Sequence, residues 1–182
     1  MKIKEIRPEL PEYREIERIY KSSFPEDQRL PFEEFQKLLV EADTSFLAFY
    51  DEDKLAGFTH LFHFEDYTII SYLAVNPAAR SNGLGSRILQ ELRDYLPGRT
   101  MIAEVEGPDQ AAANQEQRLR RLHFYDKNGF TPTGYHIDYG DMTFLIYWTG
   151  GDSFDTAKYY KVYEVVFGPH GYKPIPDDQV KP

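Results

Sequence analysis

Apolar positions along this chain change period several times, and each change marks an element. Over residues 10–21, Ile16, Ile19 and Tyr20 recur at helical spacing. Phe32, Phe35, Leu38 and Leu39 do the same over residues 32–41, with Pro31 placed to open that helix. A strand over residues 2–7 precedes both. From residue 45 the pattern becomes strand-like, in runs over 45–50, 55–64 and 68–75 rich in aromatic and β-branched residues. Short polar turns join these runs, at Asp51-Glu-Asp-Lys54 and at Glu65-Asp66. Three strands on short turns predict an antiparallel meander.

A helix to about Leu96 follows, with Leu84, Ile88, Leu89, Leu92 and Leu96 as its apolar stripe and Pro97-Gly98 as its stop. Residues 100–106 then read as a strand. Strand, helix and strand in sequence predict a right-handed crossover between parallel neighbours. A helix over 115–128 ends at Asn128-Gly129, and strands over 130–138 and 142–148 form a hairpin turned at Tyr139-Gly140-Asp141. Residues 154–167 suit a last helix, unusually aromatic, which packs on its own sheet or on a second copy of the chain in a homodimer. The proline-rich tail after Gly168 reads as loose. The prediction is an α/β fold: a mixed, mostly antiparallel central sheet with one parallel crossover and helices on both faces. No repeat or linker interrupts it, so residues 1–182 read as a single domain, with a core over 1–148 and a C-terminal helix and tail over 149–182.

Composition narrows the chemistry. The chain has 182 residues, of which 41% are hydrophobic and 15% aromatic, enough for a substantial core. It contains no cysteine, which excludes disulfides, thiolate nucleophiles and cysteine zinc sites and suits a cytoplasmic protein. There is no signal-peptide core at the N-terminus and no apolar run of the ~18–20 residues a bilayer requires, so no membrane partner is expected. A net charge of −9 argues against nucleic acid. It would favour a cationic or amine substrate, or it serves solubility alone. The five histidines show no metal-ligand spacing, and no serine-hydrolase pattern is present.

Three features carry candidate chemistry. Tyr72-Leu-Ala-Val-Asn-Pro77 runs into Arg80-Ser-Asn-Gly-Leu-Gly-Ser86 and directly into a helix. Glycines permit close backbone approach, the first turn of a helix leaves N–H groups free, and Arg80 adds charge, which together suit a phosphate or pyrophosphate. An ordinary strand–helix turn is the alternative. Glu104 and Glu106 share one face of a strand that should be apolar. A desolvated Glu104 could act as a general base, whereas Glu106 reads as a strand end meeting solvent. Finally, Arg118, Arg120, Arg121 and Lys127 make the next helix basic, either to neutralise a remote phosphate or as a solvated face. On these residues alone, Tyr125 in that helix reads as a core aromatic.

Together these segments resemble the GNAT superfamily of acyl-CoA-dependent N-acetyltransferases. The stretch from Tyr72 to Ser86 looks like the family's central motif. Arg121-Leu-His-Phe-Tyr-Asp-Lys-Asn-Gly-Phe130 looks like its later helix–strand signature, in the family's order and separated by a strand bearing a carboxylate. The resemblance covers residues 1 to about 148. It implies acetyl-CoA as co-substrate and no metal. It also implies backbone contacts from Leu73 and Val75 to the thioester and pantetheine, and amides of Arg80, Ser81, Asn82, Gly83, Leu84, Gly85 and Ser86 around the pyrophosphate. Tyr125 would then give a proton to the leaving thiolate, and Glu104 would deprotonate the acceptor amine. Many relatives carry an asparagine where Arg118 stands here, and the nearest asparagine is Asn114, so the cofactor contact from this helix does not transfer. A non-catalytic acyl-CoA-binding or regulatory module is the alternative function.

Overall fold

The structure, a computed structural model, describes residues 1–79, 83–109, 112–167 and 173–179. The elements run β1 (Lys2–Glu5), α1 (Tyr13–Ser23), α2 (Glu34–Glu41), β2 (Thr44–Asp51), β3 (Lys54–Phe64), β4 (Tyr67–Val75), α3 (Leu84–Tyr95), β5 (Thr100–Glu106), α4 (Gln115–Lys127), β6 (Thr131–Tyr139), β7 (Met142–Trp148), α5 (Thr156–Phe167) and β8 (Ile175–Pro176). The strands hydrogen-bond in the order β1-β2-β3-β4-β5-β7-β6-β8, a mixed, mostly antiparallel sheet with one parallel pair. Each predicted strand and helix is present, with small shifts at the ends. α1 starts three residues late, because the Leu10 carbonyl closes a turn with the Tyr13 N–H (2.9 Å) ahead of the helix. The Pro31 carbonyl does the same with Glu34 (2.9 Å) and delays α2.

The chain packs as two compact units, residues 1–63 with 70–98, and residues 64–69 with 99–182. In the first, α1 and α2 lie on one face of β2, β3 and β4. Ile16, Ile19 and Tyr20 of α1 and Phe35 of α2 bury themselves against Phe46, Ala48, Phe58 and Ala74. Tyr20 is the hub: its ring meets Phe24, Phe32, Phe35, Phe58 and Tyr72 with centroids 5.1–6.3 Å apart. Its hydroxyl donates to the Leu30 carbonyl (2.9 Å). Strand alternation sends Gly57 to the opposite face from Phe58, and there Ile88 of α3 approaches it. The helices of this unit therefore cover both faces of its strands.

Two local devices shape the exit from β4. Phe49 pairs with Gly57 and Tyr50 with Leu55, so Ala56 is an extra residue in a bulge. The Ala56 carbonyl, freed from the β2 ladder, accepts the Asn76 N–H (2.8 Å). The Asn76 side chain donates to the Leu55 carbonyl (3.0 Å) and to Glu15 (3.1 Å), and its Oδ1 accepts the Ala78 N–H (3.0 Å). Next to this bulge a Cβ on Gly57 would fall 2.3 Å from the Ala74 carbonyl oxygen, so only glycine lets β3 and β4 approach as they do.

In the second unit, β7 pairs antiparallel with β5 and with β6. Register slips between Pro132 and His136, where Gly134 adopts φ +82°. On the other edge of β6, Tyr135 and His136 pair with Pro176 and Ile175 of β8. The tail is thus held over residues 175–179 rather than loose, and Asp177 Oδ1 lies within hydrogen-bond distance of the buried His136 Nδ1 (3.2 Å). α5 packs Tyr159, Val162 and Tyr163 into its own unit. Asp155 caps it through the Lys158 N–H (2.9 Å), and Phe154 stacks on Tyr67 and abuts Trp148. Among the described residues no helix is long and apolar enough to cross a membrane.

His60 of β3 is fully buried among the rings of Phe35, Phe46, Phe62 and Tyr72, and neither ring nitrogen finds a partner among the described residues. Desolvation, with a smaller contribution from His63, holds its pKa down to about 3. The unfolded chain therefore binds a proton below pH ~6.5 that the folded chain refuses down to about pH 3. Stability should fall across that window by up to ~1.4 kcal/mol per pH unit. Chemical denaturation of His60→Phe against wild type at pH 7, 6, 5 and 4 should show a shallower loss in the variant. Gly57→Ala should lower stability by about 1–3 kcal/mol in thermal unfolding at pH 7, because its new methyl group meets backbone.

Candidate functional site

The first unit carries the glycine turn. Arg80, Ser81 and Asn82 lie outside the described residues. Gly83 sits at φ +75° with open space where a side chain would stand, a conformation that L-residues rarely adopt. It starts α3, whose first internal hydrogen bond runs from the Arg87 N–H to the Gly83 carbonyl (3.1 Å). The N–H groups of Leu84, Gly85 and Ser86 precede it and have no acceptor within the helix, the arrangement that suits an anion. Arg87 contributes no free charge, because Asp51 holds it through two bonds of 2.7 Å. β4 is buried over residues 67–70 but partly exposed at Ser71, Tyr72, Leu73 and Val75, which leaves backbone approachable at its carboxyl end. Tyr72 turns to the α1–α2 connection instead, where its hydroxyl donates to the Gln28 carbonyl (3.1 Å) and accepts the Leu30 N–H (3.3 Å).

The second unit carries the carboxylates, and it uses them differently. Glu104, at the middle of β5, is partly exposed and accepts three tyrosine hydroxyls: Tyr139 of β6 on Oε2 (2.6 Å), Tyr159 of α5 on Oε1 (2.6 Å), and Tyr163 of α5 also on Oε1. Desolvation raises its pKa above the ordinary carboxylate range, and donation from Tyr139 and Tyr159 offsets part of that rise. Glu106, expected to meet solvent, is instead 6% exposed. It pairs with Arg118 (3.3 Å) and with Arg121, both on α4. Arg118 also donates to Asn114 Oδ1 (2.9 Å) and to the Gly107 carbonyl (3.1 Å), pinning the connection between β5 and α4. The basic helix is therefore partly an internal device, since a buried carboxylate needs cations beside it. Arg120 stays on the surface opposite Glu116.

Tyr125 lies on α4, 9% exposed, with its ring against Phe124 and Phe130. Desolvation pushes its pKa up to about 12, with Arg121 opposing, so the phenol keeps its proton at neutral pH. No described residue bonds its hydroxyl. Lys158 pairs with both carboxylates of the acidic turn at Glu65-Asp66 and also lies over the Tyr67 ring (4.3 Å).

A family model, the acetyltransferase (GNAT) family, matches residues 11–130. The chain belongs to the GNAT acetyltransferase family. Solved structures agree. A GNAT-family protein from Bacteroides thetaiotaomicron is 25% identical and superposes with a TM-score of 0.75, covering 92% of this chain and 99% of its own. The aminoglycoside 6'-N-acetyltransferase from Enterococcus faecium is 17% identical, with a TM-score of 0.60 over 81% of this chain and 96% of its own. The ribosomal-protein-S18-alanine N-acetyltransferase from Escherichia coli is 20% identical, with a TM-score of 0.59 over 85% and 98%. At these last identities the likeness is one of fold. No curated protein matches the chain in sequence.

Within this GNAT chain, Arg118 and Asn114 form one hydrogen-bonded unit with Glu106 and Gly107. The tyrosines around Glu104 were not foreseen, although Tyr159 and Tyr163 stand four apart on a helix and so present one face. Removing Arg118 takes one of its guanidinium partners from the buried Glu106. Arg118→Ala should cost about 1–3 kcal/mol in denaturant unfolding at pH 7, and Glu106→Gln in the Arg118→Ala background should recover part of it.

Proposed function

We propose that the whole chain acts as one acetyl-CoA-dependent N-acetyltransferase domain that transfers an acetyl group to a primary amine of a small molecule, peptide or protein by direct attack. The observation that carries this reading is Glu104 in a GNAT chain: a desolvated carboxylate on the strand after the glycine-turn helix, with a raised pKa and proton-donating neighbours. The first turn of α3, from Gly83 to Ser86, fits the pyrophosphate, and Arg80, Ser81 and Asn82 belong to the same proposed cradle. Backbone groups of Leu73 and Val75 would hold the pantetheine and thioester. A solved aminoglycoside 6'-N-acetyltransferase complexed with coenzyme A has this fold, which supports the choice of co-substrate.

The acceptor arrives as an ammonium ion and is not nucleophilic until it loses a proton. Glu104 takes that proton. The amine nitrogen attacks the thioester carbonyl, the C–S bond of the tetrahedral intermediate breaks, Tyr125 protonates the departing thiolate, and the surplus proton on the nitrogen returns to the Tyr125 phenolate through water, leaving a neutral amide, a thiol and a neutral phenol. A phenol that titrates near 12 remains a proton donor throughout the working range. The acceptor class stays broad, because neighbours of one fold are named for an aminoglycoside and for a ribosomal-protein alanine. A non-catalytic acyl-CoA-binding module is the second reading. It is favoured by the three hydroxyls on Glu104, which would also suit a purely structural carboxylate.

Thiol release from acetyl-CoA over a panel of amines separates the two. Glu104→Gln and Tyr125→Phe should each lower kcat by on the order of 10²-fold or more. The ascending limb of the wild-type pH–rate profile should lie above the ordinary glutamate range, with no fall from Tyr125 ionisation below about pH 10. Full activity in both variants would refute the catalytic assignments. Calorimetric binding of acetyl-CoA without turnover on any amine would establish the second reading.

A further inference from the structure

The Glu104 cluster holds more short contacts than it has protons to fill them. Its oxygens make five approaches: Tyr139, Tyr159 and Tyr163 each to the carboxylate, Tyr139 to Tyr163 at 2.8 Å, and Tyr159 to Tyr163 at 3.3 Å. Three neutral phenols bring only three hydroxyl protons, and a carboxylate brings none. A proton on Glu104 would give one of the two unfilled contacts a donor, and each neutral hydroxyl around it can both accept and donate a proton. Exposure is graded along the network. Tyr159 is fully buried and Tyr163 nearly so, while Tyr139 and Glu104 are partly exposed.

The hydroxyls that bond Glu104 come from two elements. β6 supplies Tyr139, and α5 supplies Tyr159 and Tyr163. β7 places Ile146 opposite Glu104 in the ladder, and the α4 arginines that reach β5 are taken by Glu106. Among the described residues no cation pairs with Glu104. Burial raises its affinity for a proton and the donating phenols lower it, and α5, which lies beyond the family-matched residues 11–130, provides two of the three phenols.

Resting on the acetyltransferase reading above, we propose that Glu104, Tyr139, Tyr159 and Tyr163 form one proton-accepting unit entered at Tyr139, so that the C-terminal helix is part of the catalytic machinery. The acceptor ammonium gives a proton to Tyr139 Oη while the proton of Tyr139 moves to Glu104 Oε2. The products are a neutral amine, an unchanged neutral phenol and a carboxylic acid, with charge conserved. Tyr159 and Tyr163 are positioning residues that act through Glu104.

The full-length chain labelled with carboxyl-¹³C glutamate tests this without substrate, the Glu104 resonance being assigned by its loss in Glu104→Gln. The wild-type midpoint should lie above that of an ordinary glutamate. Tyr139→Phe, Tyr159→Phe and Tyr163→Phe each remove a donor to the carboxylate and should move the midpoint up by about one pH unit. In turnover, Tyr139→Phe should lower the plateau of the kcat–pH profile by on the order of 10²-fold. Tyr159→Phe should shift its ascending limb to higher pH and leave the plateau within a few-fold. Circular dichroism and thermal melts identify any variant that loses its fold, and the unburdened Tyr139→Phe then carries the comparison. An ordinary wild-type midpoint, or one unmoved in all folded variants, overturns the proton-accepting unit. A Tyr139→Phe plateau equal to wild type overturns the entry role. A shifted titration series with no wild-type turnover on any amine supports the unit as a proton acceptor and refutes the acetyltransferase reading instead.

Discussion

A carboxylate that folding withdraws from water has to be given donors, and in the second unit that requirement decides where several elements go. Glu104 collects hydroxyls from β6 and α5, and Glu106, two residues on, collects guanidiniums from α4. A desolvated anion left without partners would cost several kcal/mol. The two solutions differ in what they leave behind. Two arginines pair with Glu106, so it serves as an anchor. Neutral phenols stabilise an anion on Glu104 without abolishing its affinity for a proton, and a base must keep that affinity. The same strand therefore holds one structural and one reactive carboxylate, distinguished by the chemistry of their neighbours.

In the first unit the corresponding constraint is backbone approach. Ala56 bulges out of the β2–β3 ladder, its carbonyl captures Asn76, and Gly57 admits the Ala74 carbonyl to a distance that no Cβ would tolerate. Asn76 then binds Glu15 of α1 and turns the chain through Pro77 toward the glycine turn. Tyr72 ties the α1–α2 connection to β4 through its hydroxyl, and Tyr20 ties it back to α1. The residues that shape the end of β4 thus lie in β3, α1 and the turn itself, spread over some sixty positions of sequence.

Much of this was legible from periodicity. The apolar stripe from Leu84 to Leu92 located α3, alternation located the meander and the hairpin, and Asn128-Gly129 marked the end of α4. These signals are local, set by which face of a helix or strand must avoid water. What failed was non-local. Glu106 beside Gly107-Pro108 looked like a strand end in solvent, yet α4 folds Arg118 and Arg121 back over it. The tail looked structureless because Ile175 and Pro176 have too few neighbours in sequence to signal a strand, and only the edge of β6 opposite β7 gives them a partner. Tyr139 looked like a turn residue and α5 like a packing surface, since nothing local says that three hydroxyls point at one carboxylate.

The sequence by itself determined the elements, the mixed α/β architecture and the likeness to a GNAT chain, because those depend on local periodicity and on a glycine turn whose conformation is written into its residue types. The tertiary structure alone decided what each charged group does. Desolvation and hydrogen bonding depend on distance in space, and the partners that set them stand 12 to 59 positions away from the carboxylates they serve.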